Sequence, residues 1–318
     1  TPIEPVLLSS VECSNYTNYS PIVAGQTPIK IIRIAFHIFQ KSDGSSNFQN
    51  TSEDIAYLNG VINKSNFHLA NLGILNMGTT PFIVDSRIRL ELEKIYFHPH
   101  DEDYMTPVSS VVYNKYVIND FDGYNMTDDD KYNVQHIIIS GNPTDVVGGS
   151  ASGIGSQGYI RHTGWYAHYN TWGPSSYTWR LATNFIHELG HSFGCSHNFH
   201  GDSFGYQCDG CTDNDPTGLP CPIQGTSTNY MDYPPLGYNS SNPDPGFSQC
   251  QLSIIHYRLS GFGTISRTVK KDFCEVDLAQ NVEILENSVW NSTKFMKGHL
   301  IIKTGNQLTV KCKLYMPA

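Results

Sequence analysis

His187-Glu188-Leu189-Gly190-His191-Ser192-Phe193-Gly194-Cys195-Ser196-His197, just past the middle of the 318-residue chain, carries a metal site in its spacing. His187 and His191 stand four apart, so on a helix both imidazoles leave one face a turn apart. Glu188 sits beside the first of them, where its carboxylate reaches a water held by the metal. A helix does not bring in a third ligand six residues later, so the chain must turn. Gly194 is placed for that turn, because glycine enters left-handed backbone conformations at little cost. His197 then returns to the metal. Three neutral imidazoles and one open position describe a catalytic zinc site and not a closed structural one. A histidine-rich helix end can be mere surface, and His-Glu-x-x-His does arise by chance. The longer form, with Gly194 and His197 in register, is far harder to reach by accident.

A second stretch, Asn229-Tyr230-Met231-Asp232-Tyr233, lies downstream and has no reason to be a core strand. The eleven-residue motif followed by such a methionine turn is the metzincin signature, and the chain resembles that clan. Asn-Tyr-Met-Asp-Tyr, the Asn198-Phe199 pair after the third histidine and the cysteine-rich Asp/Gly loop between motif and turn are similar to the pappalysin family. Astacins would carry Glu where Asn198 stands. The resemblance implies that Met231 packs beneath the zinc histidines as a hydrophobic floor. It also implies that Tyr233 presents its hydroxyl near the metal. It covers roughly residues 30–260, most specifically at 187–197 and 229–233.

The chain is 39% hydrophobic, with no apolar run of the eighteen or so residues that span a bilayer. A formal net charge of -9 argues against a nucleic-acid partner. Eight cysteines suit an oxidising, extracellular setting, with a connectivity that sequence alone does not decide. Cys208-Asp-Gly-Cys211 has no second such pair to complete a zinc knuckle, so disulfides are expected there. Cys13 is read as a disulfide partner, with a thiolate blocking the zinc as the alternative. The chain starts at Thr1 without an initiator methionine or an apolar leader, which fits a signal segment already removed. Sequons stand at Asn15, Asn18, Asn50, Asn63, Asn125, Asn239 and Asn291.

Residues 1–28 are Pro/Ser/Asn-rich and read as an irregular leader or a remnant of a pro-segment. Ile31 to Phe39 is an apolar, β-branched run that suits a strand buried on both faces, with His37 a satisfied core histidine. Thr51-Ser-Glu-Asp opens a helix with an apolar stripe at Ile55, Leu58 and Ile62, closed at Gly73. Ile88, Leu90 and Leu92 alternate as a strand. Residues 97–131 read as a polar loop, in which Asp128-Asp-Asp130 is a solvated turn or a weak calcium candidate. Val134–Ile139 and Gly164–Tyr169 read as strands. An edge strand that pairs with extended substrate, as in metzincins, falls within 146–160. Ser175 or Ser176 caps the active-site helix, whose apolar positions include Trp179, Ala182, Ile186 and Leu189. Asp209, Asp213 and Asp215 lie in the loop between His197 and Met231. They read equally as calcium ligands, which the resemblance also implies, and as part of a disulfide-braced loop. Phe247 to Leu259 is a C-terminal helix ending at Gly261. From about residue 265 the alternation of Leu308, Val310, Cys312, Leu314 and Met316, with Leu300–Ile302 and the Thr304-Gly-Asn306 turn, predicts a β-hairpin. Cys274 and Cys312 are placed to staple it.

The expected fold is α+β. A metzincin-like domain over 29–264 has a mixed twisted sheet, a backing helix, an active-site helix and an irregular lower part with the methionine turn. A small β-rich module follows over 265–318, read as the first part of a longer region. The expected function is that of a secreted, monomeric zinc endopeptidase acting on protein or peptide substrates. His187, His191 and His197 are the zinc ligands, Glu188 is the general base and acid, and Tyr233 assists at the oxyanion. Three readings compete: another metzincin type such as an astacin, a catalytically silent binding or adhesion protein on the same scaffold, and a metal-dependent hydrolase of non-peptide substrates.

Overall fold

The structure is a computed structural model. It describes residues 21, 29–76, 82–105, 109–141, 148–155, 157–172, 178–199, 224–232, 245–261, 264–270, 282–290, 294–295, 300–311 and 314–315. The apolar run at its start forms β1 (Lys30–Gln40), and β2 (Ile88–Pro99) and β3 (Gln135–Ile139) pair parallel on its two sides. β4 (Gly148–Ala151) is an antiparallel edge on β5 (Tyr159–Thr163), which lies parallel to β3. The order is β2-β1-β3-β5-β4, a mixed sheet, and β4 falls inside the predicted 146–160 window.

β1 and β3, inside the sheet, read as continuous apolar runs because both faces are covered. Ile32, Ile34, Phe36 and Ile38 belong to the main core beside Leu58, Ile62, Phe185 and Leu189. α1 (Ser52–Ala70) supplies one layer of it. Thr51 caps the helix, its hydroxyl accepting from the Asp54 amide at 3.2 Å. Tyr57, Leu58, Val61, Ile62 and Leu69 are buried while Ile55 is half-buried, and the helix stops at Asn71, short of Gly73.

Three expectations are corrected. Residues 97–131 are not a polar loop: β2 runs on to Pro99, and short helices (Asp101–Tyr104, Ser109–Val112, a π-helical Tyr113–Ile118, Asp128–Tyr132) cover the second face of the sheet. The acidic triplet is solvent-exposed at Asp128 and Asp129, as expected of a solvated turn, with Asp130 buried. It is a first helical turn capped by Thr127, with Asp129 paired to Arg33 at 2.7 Å and Asp130 to Lys94 at 2.6 Å. Gly164–Tyr169 is not a strand. The chain leaves β5 at Gly164 (φ 74°) and continues as α2 (Trp165–Trp172), burying Trp165 and His168 at helical spacing.

The third correction concerns the end of the chain. β6 (Val282–Ile284), β7 (Ser288–Trp290) and β8 (Lys294–Phe295) pair parallel with β9 (Leu300–Ile302), β10 (Leu308–Val310) and β11 (Leu314–Tyr315), respectively. Each strand meets the strand three later, so two successive coils lie side by side and there is no hairpin. The Thr304-Gly305 turn is a corner between strands of one coil. Just before this part, Ile265 is buried in the main core and the Lys270 amide donates to Ile31 O at 2.7 Å. No helix among the described residues is long and apolar enough to cross a membrane.

Under the 101–132 cover lies a row of buried histidines. Asp122 Oδ2 meets His98 Nδ1 at 2.6 Å, His98 Nε2 meets His37 Nδ1 at 2.9 Å, and His37 Nε2 meets His136 Nδ1 at 2.9 Å. His136 Nε2 faces the Lys131 carbonyl at 3.2 Å. Four contacts need four protons, and three neutral rings carry three. Burial pushes all three rings below the usual 6.5, His136 to about 4. Because the native state binds fewer protons than the unfolded chain, the stabilisation is complete above about pH 6.5. It fades as pH falls towards about 4. Thermal unfolding of the wild type should therefore move to lower temperature between pH 7 and pH 5, and less steeply in His136→Gln. Equal slopes in the two proteins would refute this account.

Candidate active site

α3 (Thr178–Ser192) packs on the sheet and on α1 through Leu181, Phe185, Ile186 and Leu189, with Ala182 buried and Trp179 only half-buried. That packing fixes which way His187 and His191 point. The helix ends with Phe193 donating to Leu189 O and Cys195 to Gly190 O, and Gly194 takes φ 112°, as the turn requires. The reversal brings His197 Nε2 to 3.2 Å from His191 Nε2 and 3.3 Å from His187 Nε2. Tetrahedral Zn–N bonds of about 2.0–2.1 Å place ligand nitrogens roughly 3.3 Å apart, so the three side chains fit one zinc ion.

The tautomers fit as well. His187 Nδ1 donates to Tyr230 O at 2.6 Å and His191 Nδ1 to Cys195 O at 2.8 Å, which leaves each Nε2 lone pair for a metal. Burial pushes His187 down to about 4 and His191 well below its usual value, so both are neutral ligands at pH 7. His197 stacks on Phe199, ring centres 4.8 Å apart. Among the described residues these three are the only group of His, Cys, Asp or Glu that converges in this way.

Glu188 is 5% exposed and lies against β4. Burial raises its carboxyl to about 8, opposed by a hydrogen bond from the Ala151 amide. A dication beside it would draw it back towards the ionised form.

Met231 packs against Gly190, where a side chain would collide with its sulfur. The turn around it is locked by its polar neighbours. Asn229 Oδ1 accepts from the Met231 amide at 2.8 Å, and Asn229 Nδ2 donates to Gln251 Oε1 at 2.9 Å. Asp232 accepts from the Gly225 and Ser227 amides at 2.7 and 2.8 Å and from the Ser227 hydroxyl at 2.8 Å. Gln251 belongs to α4 (Gln249–Arg258), whose Ser248 capping box opens where the sequence predicts a helix. Tyr233, Asp209, Asp213, Asp215, Cys13, Cys274, Cys312, the Cys208/Cys211 pair and the Ser175/Ser176 cap lie outside the described residues. Cys250 is disulfide-bonded, whereas Cys195 is a buried thiol whose Sγ lies 3.9 Å from Gln251 O.

A sequence profile of metallo-peptidase family M12 matches residues 51–241, more than half of the chain and all of this site. The chain belongs to metallopeptidase family M12. Such peptidases use zinc, and the histidine triad of this M12 chain is built for it. No match was found among curated proteins. A solved structure described as "Structure of a chaperone-substrate complex" is similar at 11% identity and a TM-score of 0.37, over 74% of this chain. The chain spans 35% of that structure's length, and so loose a likeness says nothing of function.

Sequence reasoning missed the parts of the site that act through backbone: the carbonyls of Tyr230 and Cys195, the Ala151 amide and the bare surface of Gly149. It also passed over Asn229 and Asp232, although both stand in the quoted pentapeptide. Asn229→Ala would strand the Met231 amide and loosen the carbonyl that orients His187. It should cost roughly 2 kcal/mol of stability and weaken zinc binding about tenfold or more, read by denaturant unfolding and a competition titration with a zinc-binding dye.

Proposed function

We propose that this M12 metallopeptidase is a secreted endopeptidase that binds extended peptide along the free edge of β4 and cleaves it at the histidine triad. The carrying observation is that Glu188, the triad and the edge strand meet at one place, with the carboxylate between the strand and the helix that holds the ligands. A peptide added antiparallel to β4 gains main-chain hydrogen bonds, which orient the scissile bond without reading its sequence.

Zinc, when held by three imidazoles with a position open, supplies Lewis acidity and lowers the pKa of a bound water to about 7. Glu188 takes a proton from the attacking water and hands it to the leaving amine. Its burial keeps bulk water from competing for that proton, and the Ala151 amide holds the carboxylate in one orientation. Met231 and the Asn229/Asp232 turn keep the two helical histidines from rotating. Tyr233, two residues past the floor methionine, is assigned to the developing oxyanion.

Within the clan, Asn198 favours a pappalysin-type enzyme over an astacin. Its amide donates to Met231 O at 3.3 Å and its side chain to Ser227 Oγ at 3.0 Å, tying the third ligand to the methionine turn. The disulfide at Cys250 and the sequons favour an extracellular setting, and the acidic net charge speaks against nucleic acid. A monomer with a catalytic unit at 29–264 and a β-rich module at 265–318 is the organisation proposed. Residues 1–28 are assigned to an irregular leader, and Asp209, Asp213 and Asp215 to a structural calcium ion.

Glu188→Ala should retain one zinc per chain and lose about 10²- to 10⁴-fold in peptide-library cleavage. Wild-type turnover in that variant, or library-wide inactivity of the zinc-loaded wild type, would end the peptidase reading. A calcium-selective chelator should lower the melting temperature, with recovery on adding calcium but not magnesium. No change on chelation would remove calcium from the account.

A further inference from the structure

The edge strand touches the catalytic carboxylate at a residue that carries no side chain. Gly149 pairs with His162 in the antiparallel β4–β5 register, and its backbone does not occupy the left-handed region that favours glycine. Nothing in its torsions calls for glycine; the space does. A Cβ built there would stand 2.6 Å from both Cγ and Oε1 of Glu188 and 2.8 Å from Cδ. Three successive atoms of one side chain are hit, so spinning the carboxylate about its last bond relieves nothing. Glu188 would have to swing away from the strand. Two residues on, and therefore on the same side of β4, the Ala151 amide donates to that carboxylate.

We infer that Gly149 is a positioning residue for Glu188: the bare backbone surface at 149 sets how close the carboxylate stands to β4, and the Ala151 amide holds it there. This rests on the peptidase reading above. The displaced group is the end of a flexible side chain, so a methyl group at 149 disturbs the fold little. It moves the proton-transferring group, and catalysis is sensitive to displacements of about 1 Å. The loss therefore falls on turnover, not on metal or substrate binding.

The test is a cycle of Gly149→Ala and Glu188→Ala, read in two ways. In zinc-free protein, Gly149→Ala should lower the melting temperature by about 3 °C when Glu188 is present. It should be neutral or raise it when Glu188→Ala has cleared the space, because alanine is otherwise better than glycine inside a strand. In zinc-loaded protein, Gly149→Ala should bind one zinc, hold KM within about threefold and lose about 10- to 100-fold in kcat. Equal melting shifts in both backgrounds, wild-type kcat, or loss of zinc from Gly149→Ala would each overturn the inference. A wild type that cleaves nothing while the melting shifts remain coupled would refute the peptidase reading and uphold the contact.

Discussion

Three imidazole nitrogens must stand about 3.3 Å apart around one point, and that demand organises most of the molecule. A helix meets two thirds of it by spacing alone. The last third needs the chain to reverse within six residues, which Gly194 permits at φ 112°. The reversal in turn frees the Cys195 carbonyl to accept from His191 Nδ1 at 2.8 Å, so the turn that delivers the third ligand also sets the tautomer of the second. The first ligand is set from further away. His187 relies on Tyr230 O, some forty residues downstream, which explains why the methionine turn is locked by Asn229, Asp232 and Gln251 against slippage. Met231 then fills the gap between turn and helix at Gly190.

Burial acts on the ligands and the carboxylate in opposite senses. It disfavours the charged form of every group, so it keeps His187 and His191 neutral, as a metal requires, and it raises Glu188, which a proton acceptor does not want. Only the metal reconciles the two. A dication stabilises the ionised Glu188 across the site, and the Ala151 amide adds to it. The same burial serves both ends of the chemistry once the site is loaded.

What the sequence disclosed follows from how local each signal is. The histidine triad, the Thr51 cap, the doubly buried β1 and the satisfied His37 were readable because each rests on spacing or on a run of a few residues. Trp165–Trp172 was misread because its aromatic residues favour strands, and only contact with the core shows burial at helical spacing. The helices over 101–132 are each too short to display a period. The alternation in 300–316 announces strands correctly but says nothing of which strand is the partner, and a parallel coil and a hairpin share that pattern. Gly149 is the extreme case: a glycine in a strand signals close approach, yet nothing nearby in the sequence names Glu188 as the group approached.

Among the described residues two arrays of histidines stand close together, and comparing them shows what makes one a metal site. In the triad, His187 and His191 each give Nδ1 to a backbone carbonyl, and the Nε2 atoms are thereby turned to a common point. In the row His98–His37–His136, the carbonyl acceptor lies at one end only. His37 therefore uses both nitrogens on neighbouring rings, and the lone pairs point along a line. The contact distances in the two arrays are similar, about 2.9 Å against 3.2–3.3 Å, so proximity does not distinguish them. The supply of backbone carbonyls does. A strand commits its carbonyls to its neighbours, whereas a helix end and a turn have carbonyls to spare. The catalytic histidines stand at a helix end facing a turn for that reason, and the row that crosses three paired strands can hold protons but cannot gather an ion.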